Sequence, residues 1–297
     1  MTANQPLPII CPNCHFSNVG RAVFCQKCGG KVVLECAEHT RYRPIQVLKP
    51  DGVSTVFLVH GEDGCHYVLK RLFMPRSAPE AERKEAGRRF YSEGYILSKL
   101  SHPLFPKFYG QFSEGEAVYL VLEYVPAVTM EHDLRQRGVY LADEAIVYME
   151  QITAGLAHLH RAGNGCGHRD IKPANLLMAS PWVKLIDFGE ARPFAMSGQV
   201  ANTGTEGYVA PEQCVGIFSI QSEVYSLGVT VHTMLTGYNP AQTPFHLPPV
   251  VDLKPHLGQQ VSLVIAKALA HRPDERYESP GAFYKALRAA LAAQQLL

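Results

Sequence analysis

The sequence has no long apolar run and no long basic run. Its 297 residues contain no stretch of about 18 consecutive apolar residues, the length that a membrane-spanning helix requires. The first ten residues also lack the charged start and apolar centre of a secretory signal. Lysine and arginine number 28 against 27 acidic residues, so there is no general attraction to nucleic acid or anionic lipid. We therefore expect a cytoplasmic protein without a membrane or nucleic-acid partner.

No internal repeat or low-complexity tail is present. The hydrophobic content of 46% allows a chain of this length to bury a full core. We expect a small segment, residues 1–40, followed by one large domain, residues 41–297.

Four of the eight cysteines form two closely spaced pairs. They are Cys11, Cys14, Cys25 and Cys28, in two Cys-x-x-Cys turns separated by ten residues. Each turn can offer two thiolates to one tetrahedral ion, so the segment resembles a zinc ribbon and predicts bound Zn²⁺. Redox-active dithiol pairs are the alternative. Because so short a segment has almost no core, the metal would supply most of its folding free energy. The ribbon is also a candidate docking module for a partner.

Short strand patterns begin after the cysteine segment. Residues 45–48, 55–60 and 67–72 are rich in apolar and β-branched side chains. Turn residues separate them at 50–52 and 61–64. This alternation predicts an antiparallel sheet.

The next segment carries a helical apolar stripe that includes one acidic residue. Between about residues 79 and 100, Glu93 falls three residues after Phe90 and four before Leu97. A carboxylate on a buried helix face requires a cation. Lys70, at the end of the preceding strand pattern, can supply it.

The second half of the sequence favours helices. A continuous apolar strand at 118–125 precedes an amphipathic helix at 143–160 and a hairpin with strands at 175–178 and 182–187. The apolar residues of that helix recur at three and four, at Ile146, Met149, Ile152, Leu156 and Leu159. Further helices are expected at about 259–270 and 279–293.

A dense set of polar residues lies between the helix and the hairpin. It reads His168-Arg169-Asp170-Ile171-Lys172-Pro173-Ala174-Asn175, and Asp187-Phe188-Gly189 begins twelve residues later. Asp170 can accept a proton from a hydroxyl, and Lys172 can reach the same bound phosphate. Asn175 and Asp187 offer the hard oxygen ligands that Mg²⁺ prefers. The pattern suits transfer of a phosphoryl group from a metal-bound nucleotide.

This arrangement resembles the eukaryotic-type (Hanks-type) serine/threonine protein kinases over roughly residues 42–292. The resemblance implies an α+β, two-lobed fold with a small lobe at 41–125 and a large lobe at 126–297. It implies ATP- and Mg²⁺-dependent phosphorylation of protein substrates on serine and threonine, with autophosphorylation. The fused ribbon suggests a bacterial member, by analogy.

The resemblance also assigns roles to residues around the nucleotide. Lys70, braced by Glu93, would hold the α- and β-phosphates. Leu122 would lie at the back of the pocket, and the backbone from Glu123 to Val125 would bind the adenine.

The segment after Asp187 is rich in glycine, serine and threonine. We expect autophosphorylation at Thr203 or Ser197, with Arg169 pairing with the added phosphate. Thr205 resembles the threonine that bonds the catalytic aspartate.

Two departures from the family pattern stand out. The three positions of the glycine-rich loop fall on Lys49, Asp51 and Ser54, with Gly52 nearby. The loss weakens the expected phosphate contacts and leaves open a pseudokinase scaffold that binds partners through the ribbon and the large lobe. A kinase-like enzyme acting on a small molecule or lipid is a further alternative. Glu223 stands where the family usually has an aspartate that braces the catalytic loop.

A late ion pair is also expected from the resemblance. Arg276 resembles the arginine that pairs with Glu212 of the Ala210-Pro211-Glu212 segment. Its role would be structural.

Overall fold

The chain folds into two compact units. The computed structural model describes residues 7–36, 40–50, 54–74, 77–162, 165–196 and 204–297. One unit comprises residues 1–98 and 106–124, and the other comprises residues 99–105 and 125–297. Among the described residues, no helix combines the length and apolarity needed to cross a bilayer.

The described residues of the first unit form eight strands and one helix. The strands are Ile9–Ile10 (β1), Ser17–Asn18 (β2), Leu34–Glu35 (β3), Arg41–Lys49 (β4), Ser54–Gly61 (β5), His66–Phe73 (β6), Phe108–Glu114 (β7) and Ala117–Glu123 (β8). The helix is Glu80–Lys99 (α1). Strands β1 and β2 pair with each other, and the other six form one sheet in the order β3-β4-β5-β6-β8-β7. The described pairings of this sheet are antiparallel, as predicted.

The side chains of the sheet separate onto two faces because successive residues of a strand point in opposite directions. One face carries an aromatic and aliphatic cluster that includes Phe57, Leu69 and Tyr119. Helix α1 packs closely on strand β8, since a Cβ added to Gly94 would lie 2.8 Å from Leu120 Cδ2.

The cysteine segment has a small core of its own. Ile9, Cys11, Cys25 and Val32 are buried together. Within the small segment expected at residues 1–40, β3 joins the sheet of the following residues and pairs with β4 through Leu34–Tyr42 and Glu35–Arg41. A two-residue strand has no periodicity that could have revealed it.

The second unit is mainly helical. Its helices are Met130–Arg137 (α2), Ala142–Ala162 (α3), Ile220–Thr236 (α4), Val250–Leu253 (α5), Gly258–Ala268 (α6) and Pro280–Ala293 (α7). Its strands are Cys166–Gly167 (β9), Leu176–Ala179 (β10), Trp182–Leu185 (β11) and Arg192–Pro193 (β12). Strands β10 and β11 form the predicted hairpin, and β9 pairs with β12. The mixture of a sheet unit and a helical unit confirms the α+β fold class.

Helices α3 and α4 hold the loop between β9 and β10 in place. Helix α3 buries the apolar stripe that the sequence predicted, including Met149 and Leu156. Gly155 lets the Leu104 side chain pack directly against the backbone of α3, because a Cβ at this position would lie 2.0 Å from Leu104 Cδ2. Almost all of α4 is buried, and its Thr230 hydroxyl donates to Ile171 O at 3.4 Å.

Candidate active site

In the first unit, an ion pair joins strand β6 to helix α1. Lys70 Nζ lies 2.8 Å from both carboxylate oxygens of Glu93. The side chains are 13% and 3% exposed. The apolar stripe of α1 brings Glu93 to the sheet, so the lysine is held by a partner that has little access to water. A lysine fixed in this way can present a positive charge to an anion.

In the second unit, three side chains converge on Asp170. Its Oδ1 accepts a hydrogen bond from the Thr205 hydroxyl at 2.8 Å. Its Oδ2 accepts from Lys172 Nζ at 2.7 Å and from Asn175 Nδ2 at 2.8 Å. Lys172 Nζ also contacts Thr205 Oγ1. The Asp170 side chain remains 12% exposed. A carboxylate that is oriented and still reachable suits proton uptake from a hydroxyl.

The backbone of this loop is fixed by a buried glutamate from helix α4. Glu223 is 1% exposed, and its Oε1 accepts from the His168 amide at 2.5 Å. Its Oε2 lies 2.5 Å from His160 Nε2, at the end of α3. Because a carboxylate can only accept, His160 donates from Nε2. Glutamate is one methylene longer than the aspartate usual at this position. Its carboxylate contacts both the backbone of the loop at His168 and the side chain of His160.

His168 is itself a buried packing residue. It is fully buried, its Nε2 bonds Ile186 O at 3.2 Å, and its ring lies edge-on to Phe188 at 4.8 Å. Burial lowers the pKa of His168, against the opposing charges of Asp170, Glu223 and Asp187. The lowered pKa favours the uncharged ring, which supports the loop through its packing and its hydrogen bond to Ile186 O.

A backbone hydrogen bond connects the segments that carry Asn175 and Asp187. Asn175 O accepts from the Ile186 amide at 2.9 Å. Asn175 Nδ2 donates to the backbone carbonyl and to Oδ2 of Asp170. The side-chain oxygen of Asn175 is therefore turned away from the Asp170 carboxylate. Asp187 follows β11 with φ of +68°, a left-handed conformation that aspartate tolerates. An amide oxygen and a carboxylate are suitable ligands for Mg²⁺, so the donor set fits this ion.

Some backbone groups near the expected adenine site already form hydrogen bonds within the protein. The Glu123 amide donates to Lys107 O at 2.9 Å, and its carboxylate accepts from the Lys107 amide at 3.0 Å. The Val125 carbonyl accepts from the Ala127 amide at 2.8 Å. The adenine contacts that the resemblance assigns to Glu123 and Val125 fall on this same segment.

Arg169 lies under an aromatic ring. It is 4% exposed, adopts φ of +70°, and its guanidinium carbon lies 4.9 Å from the Phe218 ring centroid. The predicted phosphorylation sites Ser197 and Thr203 are outside the described residues. So are Asp51 and Gly52 of the degenerate glycine-rich loop.

The predicted late ion pair is present and buried. Arg276 Nη1 and Nη2 lie 2.7 and 2.9 Å from the two oxygens of Glu212. The Arg276 side chain has no exposed area, and Ser222 donates a further hydrogen bond to Glu212 at 2.6 Å. This bidentate pair ties the segment before α4 to the segment before α7.

The four clustered cysteines have the geometry of a metal site. Their Sγ atoms all lie within 4.8 Å of one another, with Cys11–Cys28 and Cys14–Cys25 at 3.6 Å. A tetrahedral ion with Zn–S bonds of about 2.3 Å would place the sulfurs about 3.8 Å apart. The amides of Asn13 and Lys27 donate to Cys11 and Cys25 Sγ at 3.4 Å. The donor set therefore fits Zn²⁺.

Two residues of this arrangement were not predicted from the sequence. His160 braces Glu223, and Phe218 covers Arg169. A histidine beside an apolar helical stripe and a phenylalanine in a loop carry no pattern that identifies their partners. Their contacts join residues about 50 or more positions apart, which only the folded chain shows.

The sequence of this chain is similar to those of known protein kinases. A model of the protein kinase domain matches residues 51–250. The serine/threonine-protein kinase PrkC of Bacillus subtilis is 32% identical over 258 residues, which cover 80% of this chain and 39% of the relative. Serine/threonine-protein kinase C of Synechocystis sp. is 31% identical over 275 residues, which cover 84% of this chain and 50% of the relative. The chain thus spans half or less of the length of these relatives.

The fold is also similar to a solved structure. A crystal structure of the Mycobacterium tuberculosis PknI kinase domain has a TM-score of 0.69 and 23% sequence identity. The alignment covers 87% of this chain and 98% of that domain. At this identity the similarity concerns the fold.

Proposed function

The chain belongs to the protein kinase domain family, and we propose that it transfers a phosphoryl group from ATP to serine and threonine hydroxyls of proteins, including its own. The observation that carries the proposal is the Asp170 carboxylate, held by Lys172, Asn175 and Thr205. The two relatives are named as serine/threonine-protein kinases, which favours the catalytic hypothesis over the pseudokinase one.

In this mechanism, Asp170 would orient the acceptor hydroxyl and take up its proton. Lys172, bonded to the same carboxylate, would stabilise the negative charge of the transferring group. Thr205 holds the second oxygen, so the carboxylate cannot rotate freely. Catalysis would rest on positioning and charge neutralisation.

The family resemblance assigns the groups that would bind the nucleotide. Lys70, held by Glu93, would bind the α- and β-phosphates. Asn175 and Asp187 would hold Mg²⁺, which supplies charge neutralisation at the phosphates when bound. The backbone of Glu123 and Val125 would contact the adenine.

The proposal extends to the remaining parts of the chain. Residues 1–40 would form a ribbon that holds Zn²⁺ through its four cysteines and would serve as the docking module for a partner. Residues 41–125 and 126–297 would be the small and large lobes. Since the reaction consumes ATP, we place the domain in the cytoplasm.

Regulation would involve the segment after Asp187. Ser197 or Thr203 would be autophosphorylated and would pair with Arg169. Phosphopeptide mapping of active protein would find phosphate within residues 190–209, whereas an unmodified segment would rule this out.

The activity is tested by Mg²⁺-dependent transfer of labelled phosphate from ATP to the protein itself and to a basic protein. Asp170→Asn should lower the rate by about 10²- to 10⁴-fold, because the general base is lost. Asp252→Asn, at an exposed position in α5, is the matched control and should retain the rate. Transfer that survives in Asp170→Asn, or its absence in the unsubstituted protein, would contradict the proposal.

A further inference from the structure

Strand β6 is held from both of its faces. Lys70 and Arg71 are consecutive, so their side chains project to opposite sides of the sheet. Lys70 pairs with Glu93 on one side. Arg71 on the other side meets the cysteine segment.

The Arg71 contacts are made to the first Cys-x-x-Cys turn. Arg71 Nη1 donates to Pro12 O at 2.5 Å, and Nη2 donates to Asn13 Oδ1 at 2.7 Å. The arginine is 7% exposed and its guanidinium also lies 4.6 Å from the Phe73 ring centroid. A buried guanidinium depends on its acceptors, because an unpaired buried charge is unfavourable.

Both of these acceptors belong to residues that lie between two metal ligands, whereas a further side-chain hydrogen bond joins Arg71 to Tyr119 in the sheet. Pro12 and Asn13 separate Cys11 from Cys14, and the Asn13 amide donates to Cys11 Sγ at 3.4 Å. A metal bound by both cysteines would fix this turn, whereas the free turn would sample other conformations. The position of the acceptors for Arg71 therefore depends on the metal.

Other contacts attach the same segment to the sheet. The His15 ring lies edge-on to Phe57 at 5.8 Å, and Lys31 pairs with Glu114 at 2.8 Å. Arg71 differs from these because it shares a peptide bond with Lys70. If the turn withdraws its acceptors, the Arg71 guanidinium loses two hydrogen bonds, and its rearrangement would act on the adjacent backbone of Lys70.

We propose that Arg71 is a positioning residue that couples metal occupancy of the four-cysteine site to nucleotide binding at Lys70. The coupling rests on the proposed function, since it requires that Lys70 bind the nucleotide phosphates. Because coupling between two sites is reciprocal, the nucleotide must strengthen zinc binding by the factor by which zinc strengthens nucleotide binding.

The test uses the full chain and two equilibrium measurements. Affinity for a non-hydrolysable ATP analogue with Mg²⁺ is measured on zinc-loaded and zinc-stripped protein. Zinc affinity is measured by competition with a chelator, with and without the analogue. We expect removal of zinc to weaken analogue binding about tenfold and the analogue to raise zinc affinity by the same factor. Tenfold corresponds to about 1.4 kcal/mol.

Variants separate coupling from general stability. Arg71→Met retains the cysteines, so the zinc-loaded variant should bind the analogue about tenfold more weakly, and its zinc affinity should no longer respond to the analogue. Asn13→Ala removes one of the two acceptors that the turn offers to Arg71 and should give a smaller change of the same kind. Arg88→Met, an arginine on α1 whose side chain is 74% exposed, is the matched control and should behave as the unsubstituted protein.

The outcomes distinguish this inference from the proposed function. Analogue binding that is unaffected by zinc, or a zinc affinity that still responds to the analogue in Arg71→Met, would overturn the coupling while leaving the kinase activity in place. Failure of the zinc-loaded, unsubstituted protein to bind the analogue would overturn the proposed function, and the coupling with it.

Discussion

Replacing Glu223 by glutamine tests how the catalytic loop is held. The carboxylate accepts from the His168 amide and from His160 Nε2, both at 2.5 Å, and is almost fully buried. Glutamine has the same shape but offers one oxygen and one NH₂ group, so one contact must reverse its direction. The His160 ring can accommodate this by moving its proton to Nδ1. Both hydrogen bonds can then persist, but neither involves the negative charge of a carboxylate.

The expected loss of stability follows from that change. Hydrogen bonds to charged groups contribute about 1.5 to 3 kcal/mol, and neutral ones about 0.5 to 1.5 kcal/mol. Two bonds that lose their charge should therefore lower the free energy of unfolding by about 2 kcal/mol. Denaturant unfolding should show a lower midpoint with an unchanged slope. Because the loop carries Asp170, kcat should also fall, by about three- to tenfold.

Two further variants complete this test. Glu150→Gln, at an exposed position of α3, is the matched control and should change neither quantity. Glu223→Leu leaves the buried His168 amide and the His160 ring without their acceptor, so it should lower the free energy of unfolding by about 3 to 5 kcal/mol. A Glu223→Gln protein with unchanged unfolding midpoint and kcat would refute the view that this carboxylate holds the loop.

Three further predictions concern other contacts of the site. Glu93→Gln should lower the free energy of unfolding by about 2 to 3 kcal/mol and weaken nucleotide binding, because Lys70 loses a charged partner; unchanged nucleotide affinity would contradict this. Thr205→Val should lower kcat about tenfold with little change in the KM for ATP, since it frees Asp170 Oδ1; an unchanged kcat would be inconsistent with that role. The unfolding midpoint should decrease from pH 7 to pH 5. Unfolded histidines bind protons near a pKa of about 6.5, whereas burial lowers the pKa of folded histidines, so stability is lost as the pH falls. A midpoint that stays level or rises would contradict the contribution of His102, His168 and His232.

The fold was predictable because its elements have strong local patterns. The strands at 55–60 and 67–72 appear as β5 and β6, and the helix at 143–160 appears as α3, each with ends shifted by one or two residues. Alternating and helical periodicities arise from burial on one side of an element. The confirmed family membership depended on motifs with fixed order, such as the stretch from His168 to Asn175.

Contacts between residues that are far apart in the sequence were harder to predict. The sequence suggested Lys70 with Glu93 and Arg276 with Glu212 because the family resemblance supplied the pairs. It gave no indication that Arg71 would bind Pro12 and Asn13, which precede it by 59 and 58 positions. Such a contact depends on how a separately folded turn packs on a sheet, and no local periodicity records that.

The pairing of β3 with β4 has a practical consequence for protein production. Leu34 is 3% exposed and belongs to the aromatic cluster of the sheet, although it precedes residue 41. A shortened version that starts at residue 41 would remove β3 and leave the outer edge of β4 near Tyr42 without a neighbouring strand, while its other edge stays paired with β5. Open sheet edges recruit strands from other molecules. Such a version would therefore be prone to self-association, and one that keeps the cysteine segment would be the better choice for crystallisation.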